Sequence, residues 1–319
     1  MMKGWEFTYT HKPLRLVEKP DPVAKPGYVA LDVKACGLCH SDVGAMEDEK
    51  WLALMKYPLI IGHEYAGVIT EVGEGVTGYK VGDRVGVCPM PTKDGYGGGY
   101  GRDGGYATKS TAPAEMLVPV PDNVSFTYAA AATDAGMTSH HAVAVAGGAR
   151  PGINMGIIGI GGLGQIGTRV AVLKGANVYA ASRNPAAREE AMKLGCKAAY
   201  STIGEVAEHV NLDVIVDFAG AGKTTADALE AVGVNGRVVL VGMAKLETTL
   251  NTMPLITKEV TILGSQGGNV DDIASVYKMM ASGDLKPDVT EIGFDDIPAG
   301  LERLKEGGVR GRLVAVMDK

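Results

Sequence analysis

Cys36-Gly37-Leu38-Cys39-His40-Ser41-Asp42, followed closely by Gly62-His63-Glu64, gathers thiols, imidazoles, a hydroxyl and carboxylates in one short stretch. Cys, His and carboxylate are the donors that suit zinc, and a hydroxyl beside a metal can carry a proton. The spacing leaves other readings open. Cys36-x-x-Cys39-His40 also fits covalent haem attachment and a redox dithiol, and two buried thiols beside a satisfied histidine is the plainest alternative. Haem attachment of that kind suits an exported chain. A thioredoxin-type dithiol opens a helix inside a βαβ unit, whereas this stretch follows a strand in an irregular β region. The plain alternative leaves Ser41-Asp42 and Gly62-His63-Glu64 without a purpose.

The elements that hold these residues come from a chain of 319 residues, 46% apolar, long enough for large cores and expected to form two domains. Its 45 glycines imply many tight turns. A formal charge of −6 with no basic cluster argues against nucleic acid or a membrane surface and favours small-molecule partners. Residues 1–7 hold no apolar signal core and no run is long enough for a membrane span, so a cytoplasmic location is expected. The four cysteines, Cys36, Cys39, Cys88 and Cys196, point to metal or redox roles and not to a disulfide framework.

From Trp5 to about Pro121 the pattern predicts short strands broken by Gly and Pro, among them Tyr28 to Lys34, Tyr65 to Val72 and Asp83 to Val87. Residues 92–106, rich in Gly and Tyr, read as a loop, ordered or mobile. From Ser125 an Ala-rich helical stretch leads into strands alternating with helices as far as residue 266. Ile153 to Gly159 is a buried strand, Leu163 to Lys174 a helix and Asn177 to Ala181 a strand. Asn184-Pro185 then caps a helix closed by Gly195. Further apolar runs at Asp213 to Phe218, Arg237 to Val241 and Val260 to Leu263 call for a parallel sheet covered on both faces. The tail carries helices from about Asp271 and Ile297 and a strand at Arg312 to Val316.

Gly159-Ile160-Gly161-Gly162-Leu163-Gly164 opens the first helix directly after the first of these strands, as a dinucleotide-binding turn requires. The alternative is a merely structural glycine turn. At the end of the second strand, where a carboxylate would bind the ribose of NAD, the chain has Ser182-Arg183-Asn184, with Arg188 one helical turn on. A hydroxyl donor and a cation favour the 2′-phosphate of NADP(H), although a solvated surface arginine has the same sequence appearance.

The segments KACGLCHSD, PLIIGHEYAGVITEVGEGVTGYKVGDRV, TDAGMTSHHAV, GIGGLGQIG and GRLV resemble, in order and across nearly the whole chain, the zinc-dependent medium-chain alcohol dehydrogenases. A catalytic zinc held by two Cys and one His, with a fourth position open, is the known arrangement in that family. The resemblance implies an α/β protein: a GroES-like irregular β catalytic domain (residues 1–134), a Rossmann doubly wound parallel-sheet domain (135–266) and a C-terminal segment (267–319) returning to the catalytic domain. It implies Cys39 and His63 as zinc ligands, with Cys36 a neighbouring non-ligand. The third ligand, usually Cys, falls on Asp134, which resembles the NADP-dependent secondary alcohol dehydrogenase and carbonyl reductase branch. Helix capping is the plainer role for that residue. Glu64 is implied behind the metal or as an alternative ligand, and Asp42 as the carboxylate that orients His63.

The region that commonly carries a four-cysteine lobe for a structural zinc holds only Cys88, so one catalytic zinc is expected. The family's relay histidine position is Gly44. By the same resemblance Ser41 moves a proton, and His40 and Arg312 lie near the cofactor pyrophosphate. Surface charge is the plainer role for both, and Arg310 competes with Arg312. Trp51, Leu54 and Met90 are implied to line an apolar pocket, and a homodimer or homotetramer is expected. The implied activity is hydride transfer between NADP(H) and an alcohol, ketone or aldehyde. A zinc-free enone or quinone reductase, or a cofactor-binding non-enzyme, shares the fold.

Overall fold

Short alternating runs closed by Gly and Pro turns become β1 (Met2–Phe7), β2 (Arg15–Lys19), β3 (Tyr28–Gly37), β4 (Leu59–Ile60), β5 (Glu64–Val72), β6 (Arg84–Val87), β7 (Lys109–Pro113) and β8 (Leu117–Pro119) in the computed structural model, which describes all 319 residues. The chain divides into two units, Met1–Ala135 with Asn269–Lys319, and Gly136–Gly268. In the first, β1 pairs antiparallel with both β2 and β4. β3 pairs antiparallel with β5, and the register Cys36↔Tyr65, Gly37↔Glu64 sets the two chemistry-bearing stretches side by side.

The second unit is built on β9 (Asn154–Ile158), β10 (Asn177–Ala181), β11 (Ala198–Tyr200), β12 (Leu212–Asp217), β13 (Val232–Leu240) and β14 (Thr261–Gly264). They form one parallel sheet in the order β11-β10-β9-β12-β13-β14. This is the Rossmann order, in which the strand sequence reverses beside β9. The helix Pro185–Lys193 has Asn184 as its cap, with the side chain accepting from Ala186 N, and Pro185 in its first turn. Gly195, beyond its end, has a positive φ of 104° that an L side chain rarely adopts.

After the second unit the chain returns to the first with the helices Val270–Ala281 and Ile297–Glu306 and with β15 (Val289–Gly293) and β16 (Arg312–Val316). β16 pairs antiparallel with β3 in the register Val314↔Gly37. That completes a seven-stranded sheet, β15-β16-β3-β5-β6-β8, with β7 also on β3. Its core includes Phe7, Leu31, Leu38, Ile60, Tyr65 and Leu313, all fully buried, and the packing is continuous from the first strands to the last.

Candidate functional site

β3 ends at Gly37, and two residues on, Cys39 caps the helix His40–Glu47. Asp42 of that helix accepts from Cys39 N at 3.2 Å, which fixes the cysteine at the helix start. β5 opens at Glu64, so His63 sits at its mouth, 2% exposed. Asp134 arrives from a π-helical turn, Ala132–Gly136, that interrupts the helix begun at Phe126. A π turn is a wider coil that re-aims a side chain and is common at functional sites. It is the break that the Ala-rich stretch displays in sequence, and Asp134 uses it to reach Cys39 and His63.

Cys39, His63 and Asp134 bring one donor atom each to within 4.8 Å of one another. Asp134 Oδ2 is 3.4 Å from Cys39 Sγ and 3.3 Å from His63 Nε2. Tetrahedral zinc with bonds of about 2.0–2.3 Å separates its ligand atoms by roughly 3.3–3.7 Å, and the two edges that meet at Asp134 fall in that range. Thiolate, imidazole and carboxylate are also the right donor types. On the far side of the ring, Asp42 Oδ1 lies 3.3 Å from His63 Nδ1, and Tyr106 donates to Asp42 Oδ2 at 2.7 Å. That arrangement turns Nε2 toward the other two donors.

Charge around the triangle is graded. Burial opposes a charged imidazole, but the neighbouring anions outweigh it and lift the His63 pKa well above the ordinary value. Burial also works against ionisation of Asp134, yet His63, Arg312 and Cys39 hold its carboxyl below the usual range. A site that draws one ring between two carboxylates favours a cation at its centre. Cys36 differs. Buried completely, its thiol is pushed far up by desolvation and by Asp42 and Glu64, and it points its S–H at Gly37 O, 3.6 Å away. It stands outside the group of donor atoms formed by Cys39, His63 and Asp134.

Glu64 and Arg312 pair with each other beside the triangle. Glu64 is completely buried, and its carboxylate accepts from Arg312 Nε at 2.9 Å and from Arg312 Nη2, so it stands outside the donor triangle. Burial pushes the Glu64 carboxyl up, to about 7, with Arg312 pulling the other way. Arg312, expected near a cofactor phosphate, is 4% exposed and spends its guanidinium on Glu64 and, at 3.3 Å, on Asp134. The β3–β16 register explains this, because it lays Arg312 alongside the segment after Gly37. His40 is exposed, as is Leu54, while Trp51 and Met90 are half-buried. The Trp51 indole occupies the space beside Gly44, where a Cβ would come within 2.6 Å of it.

Sequence reasoning missed Tyr100 and Tyr106. The Gly/Tyr-rich segment is an ordered strap whose Gly104, Gly105 and Tyr106 amides donate to the carbonyls of Ile60, Gly62 and Ile61 at 2.7, 2.6 and 3.0 Å. The isolated tyrosines among its glycines were the available signal.

In the second unit, Gly159 has φ +85° at the turn after β9, and a Cβ on Gly164 would stand 1.7 Å from Gly159 O. A Cβ on Gly161 would meet nothing, which leaves open space at the N-terminus of the helix Gly162–Leu173. Turn, close helix packing and an open helix start are what a pyrophosphate needs. Ser139 of this unit donates to Leu163 O at 2.9 Å. At the end of β10, Arg188 Nη1 donates to Ser182 O at 2.7 Å and Arg183 O at 3.2 Å, whereas Arg183 itself is exposed.

A Rossmann unit and a GroES-like β unit holding a Cys-His-Asp triangle define an oxidoreductase of the alcohol dehydrogenase type. Residues 25–122 match the family model of the alcohol dehydrogenase GroES-like domain and residues 162–282 that of the zinc-binding dehydrogenases. The chain is 34% identical over 341 residues to an alcohol dehydrogenase of Geobacillus stearothermophilus, covering 99% of this chain and 100% of the relative. It is 30% identical to 8-hydroxygeraniol dehydrogenase of Catharanthus roseus, over 90% of this chain and 86% of that one. Among solved structures, acetophenone reductase from Geotrichum candidum in complex with NAD aligns with a TM-score of 0.90 at 29% identity, covering 99% and 97% of the two chains. The chain belongs to the zinc-dependent medium-chain alcohol dehydrogenase family.

Proposed function

We propose that the chain is a zinc-dependent, NADP(H)-linked oxidoreductase that interconverts an alcohol with a ketone or aldehyde. The observation that carries this reading is the triangle of Cys39, His63 and Asp134, whose donor types suit zinc and whose donor atoms lie within 4.8 Å of one another. The chemistry that the two groups supply when bound is polarisation of the substrate oxygen by the metal and hydride exchange with the nicotinamide.

The chain's own residues do the rest. Ser41 Oγ lies 3.4 Å from His63 Nε2, so its hydroxyl borders the triangle and gives its proton to the substrate oxygen as the carbonyl is reduced, taking one back from a cofactor hydroxyl or solvent. Asp42 and Tyr106 hold the His63 ring. Arg312 balances Glu64 and Asp134, so the triangle is flanked by a neutralised pair instead of two free carboxylates. Gly159 to Gly164 receive the pyrophosphate. Ser182 and Arg183 favour the extra phosphate of NADP(H), with Arg188 bracing their backbone.

The test is metal analysis of the purified protein together with reduction of a ketone and aldehyde panel. Bound zinc is expected at one per chain, and Cys39→Ser and Asp134→Ala are expected to lose it and to lower kcat at least about a hundredfold. Full ketone reduction by zinc-free protein would leave the enone reductase reading in its place.

A further inference from the structure

Ser41 stands on a helix whose next turn offers it no polar side chain. Gly44 and Ala45 lie three and four residues on, and the Trp51 indole fills the space beside Gly44. The hydroxyl has a partner from elsewhere. Tyr100, on the strap, donates its O–H to Ser41 Oγ at 3.2 Å. Its ring lies on the imidazole of His63, with centroids 4.9 Å apart and planes inclined by 36°.

We propose that Tyr100 is a positioning residue that aims the Ser41 hydroxyl at the substrate oxygen. The inference rests on the zinc-dependent reading and on Ser41 as its proton carrier. A serine hydroxyl has one hydrogen and two lone pairs. With Tyr100 donating into one lone pair, the Ser41 hydrogen turns away from the phenol, toward the side where His63 Nε2 lies 3.4 Å off. Along this path Tyr100 donates to Ser41, and Ser41 donates onward.

The tyrosine is held well enough for this role. Tyr100 O accepts from Lys56 N at 2.7 Å, Tyr100 N donates to Gly97 O at 3.2 Å, and Gly99 N donates to Arg102 O at 2.9 Å, which ties the strap on both sides of the ring. A side chain fixed by its backbone and by stacking loses little entropy when it orients a neighbour.

A purely packing role for the ring makes a different prediction, and Tyr100→Phe separates the two because it keeps the ring and removes the hydroxyl. In Tyr100→Phe, kcat for ketone reduction is expected to fall about tenfold, the scale of one net hydrogen bond, with KM within about twofold. In the Ser41→Ala background the same change is expected to do nothing further, because the phenol acts through Ser41. Binding of a non-reducible carboxamide, followed by quenching of nicotinamide fluorescence, gives a second readout. It is expected to weaken several-fold in Tyr100→Phe and to be indifferent to that change in Ser41→Ala. Metal content and melting temperature of Tyr100→Phe are expected to match the parent, and Tyr100→Leu, which also removes the stacking, to lose more. A Tyr100→Phe protein with parental kcat and carboxamide affinity, while Ser41→Ala is impaired, overturns the role of Tyr100 alone. An unimpaired Ser41→Ala overturns the proton-carrier reading with it. Equal losses from Tyr100→Phe with and without Ser41 overturn the positioning role in favour of a phenol hydroxyl that acts independently of Ser41.

Discussion

Arg183 and Arg188 divide the work at the end of β10. Arg188 is spent on the backbone, donating to the carbonyls of Ser182 and Arg183, which leaves Arg183 exposed to meet a ligand. A guanidinium on a phosphate makes charge-assisted bonds worth about 1.5–3 kcal/mol, or roughly 10- to 100-fold in affinity. Arg183→Ala is therefore expected to raise KM for NADPH by that factor and to change KM for NADH less than about twofold, in steady-state assays with each coenzyme. Equal losses on both coenzymes would sink the assignment of NADP(H). At this scale the sequence was informative where ligands were close in the chain. Cys39 and His63 lie in a stretch whose residue types mark it for chemistry, but their choice as a pair, like that of Asp134, 71 residues beyond His63, came from the family resemblance. The Glu64–Arg312 pair spans 248 residues, a separation no local pattern records. Tyr100 was hidden because a glycine-rich segment has no period to read.

The strap shows how an element without regular structure can still be rigid. Gly104 passes so close to Gly62 that a Cβ would stand 2.2 Å from Gly62 O, and a backbone atom has no rotamer with which to yield. Gly104→Ala is expected to cost about 1–3 kcal/mol in a denaturant melt and to lower kcat, since Tyr100 and Tyr106 move with the strap. An unchanged midpoint and kcat would show that the strap is dispensable. The regular elements were easier to foresee. Strands buried on both faces of a parallel sheet read as continuous apolar runs, which is why β9, β10 and β12 were placed nearly to the residue. β13 was expected from Arg237 yet begins at Val232, because its first half carries Gly233, Asn235 and Gly236 and a register shift against β12, none of which looks like a strand.

Within the first unit, polar pairs add to the continuous core in tying β1, β2 and the strap together. Glu6 on β1 bonds Arg15 and Lys19 of β2, and Lys19 also reaches Asp103 of the strap at 3.0 Å. Burial raises the Glu6 pKa, but the two cations outweigh it and leave the carboxyl below its ordinary value of 4.5. A depressed carboxyl adds stability above its unfolded pKa and loses it as pH falls through the folded one. Glu6→Gln is thus expected to be less stable than the parent at pH 7, with the gap closing as pH falls below 4.5 toward the lower folded pKa, as urea melts across that range would show. A gap that stays constant with pH would mean the charge of Glu6 contributes nothing.

The return of the chain through β16 also governs when the site can exist during synthesis. The second unit is one contiguous stretch, Gly136–Gly268, and all of its sheet strands are synthesised before β15 and β16. The first unit has to wait. The end of β3, Ala35 to Gly37, waits for Val314 to Val316 to pair with it, and Glu64 has no guanidinium until Arg312 arrives. A buried carboxylate without its partner is costly, so the nascent first unit is held back from closing around the cysteines and histidine. The Rossmann half is accordingly complete in sequence first, and the half with Cys39, His63 and Asp134 is completed last.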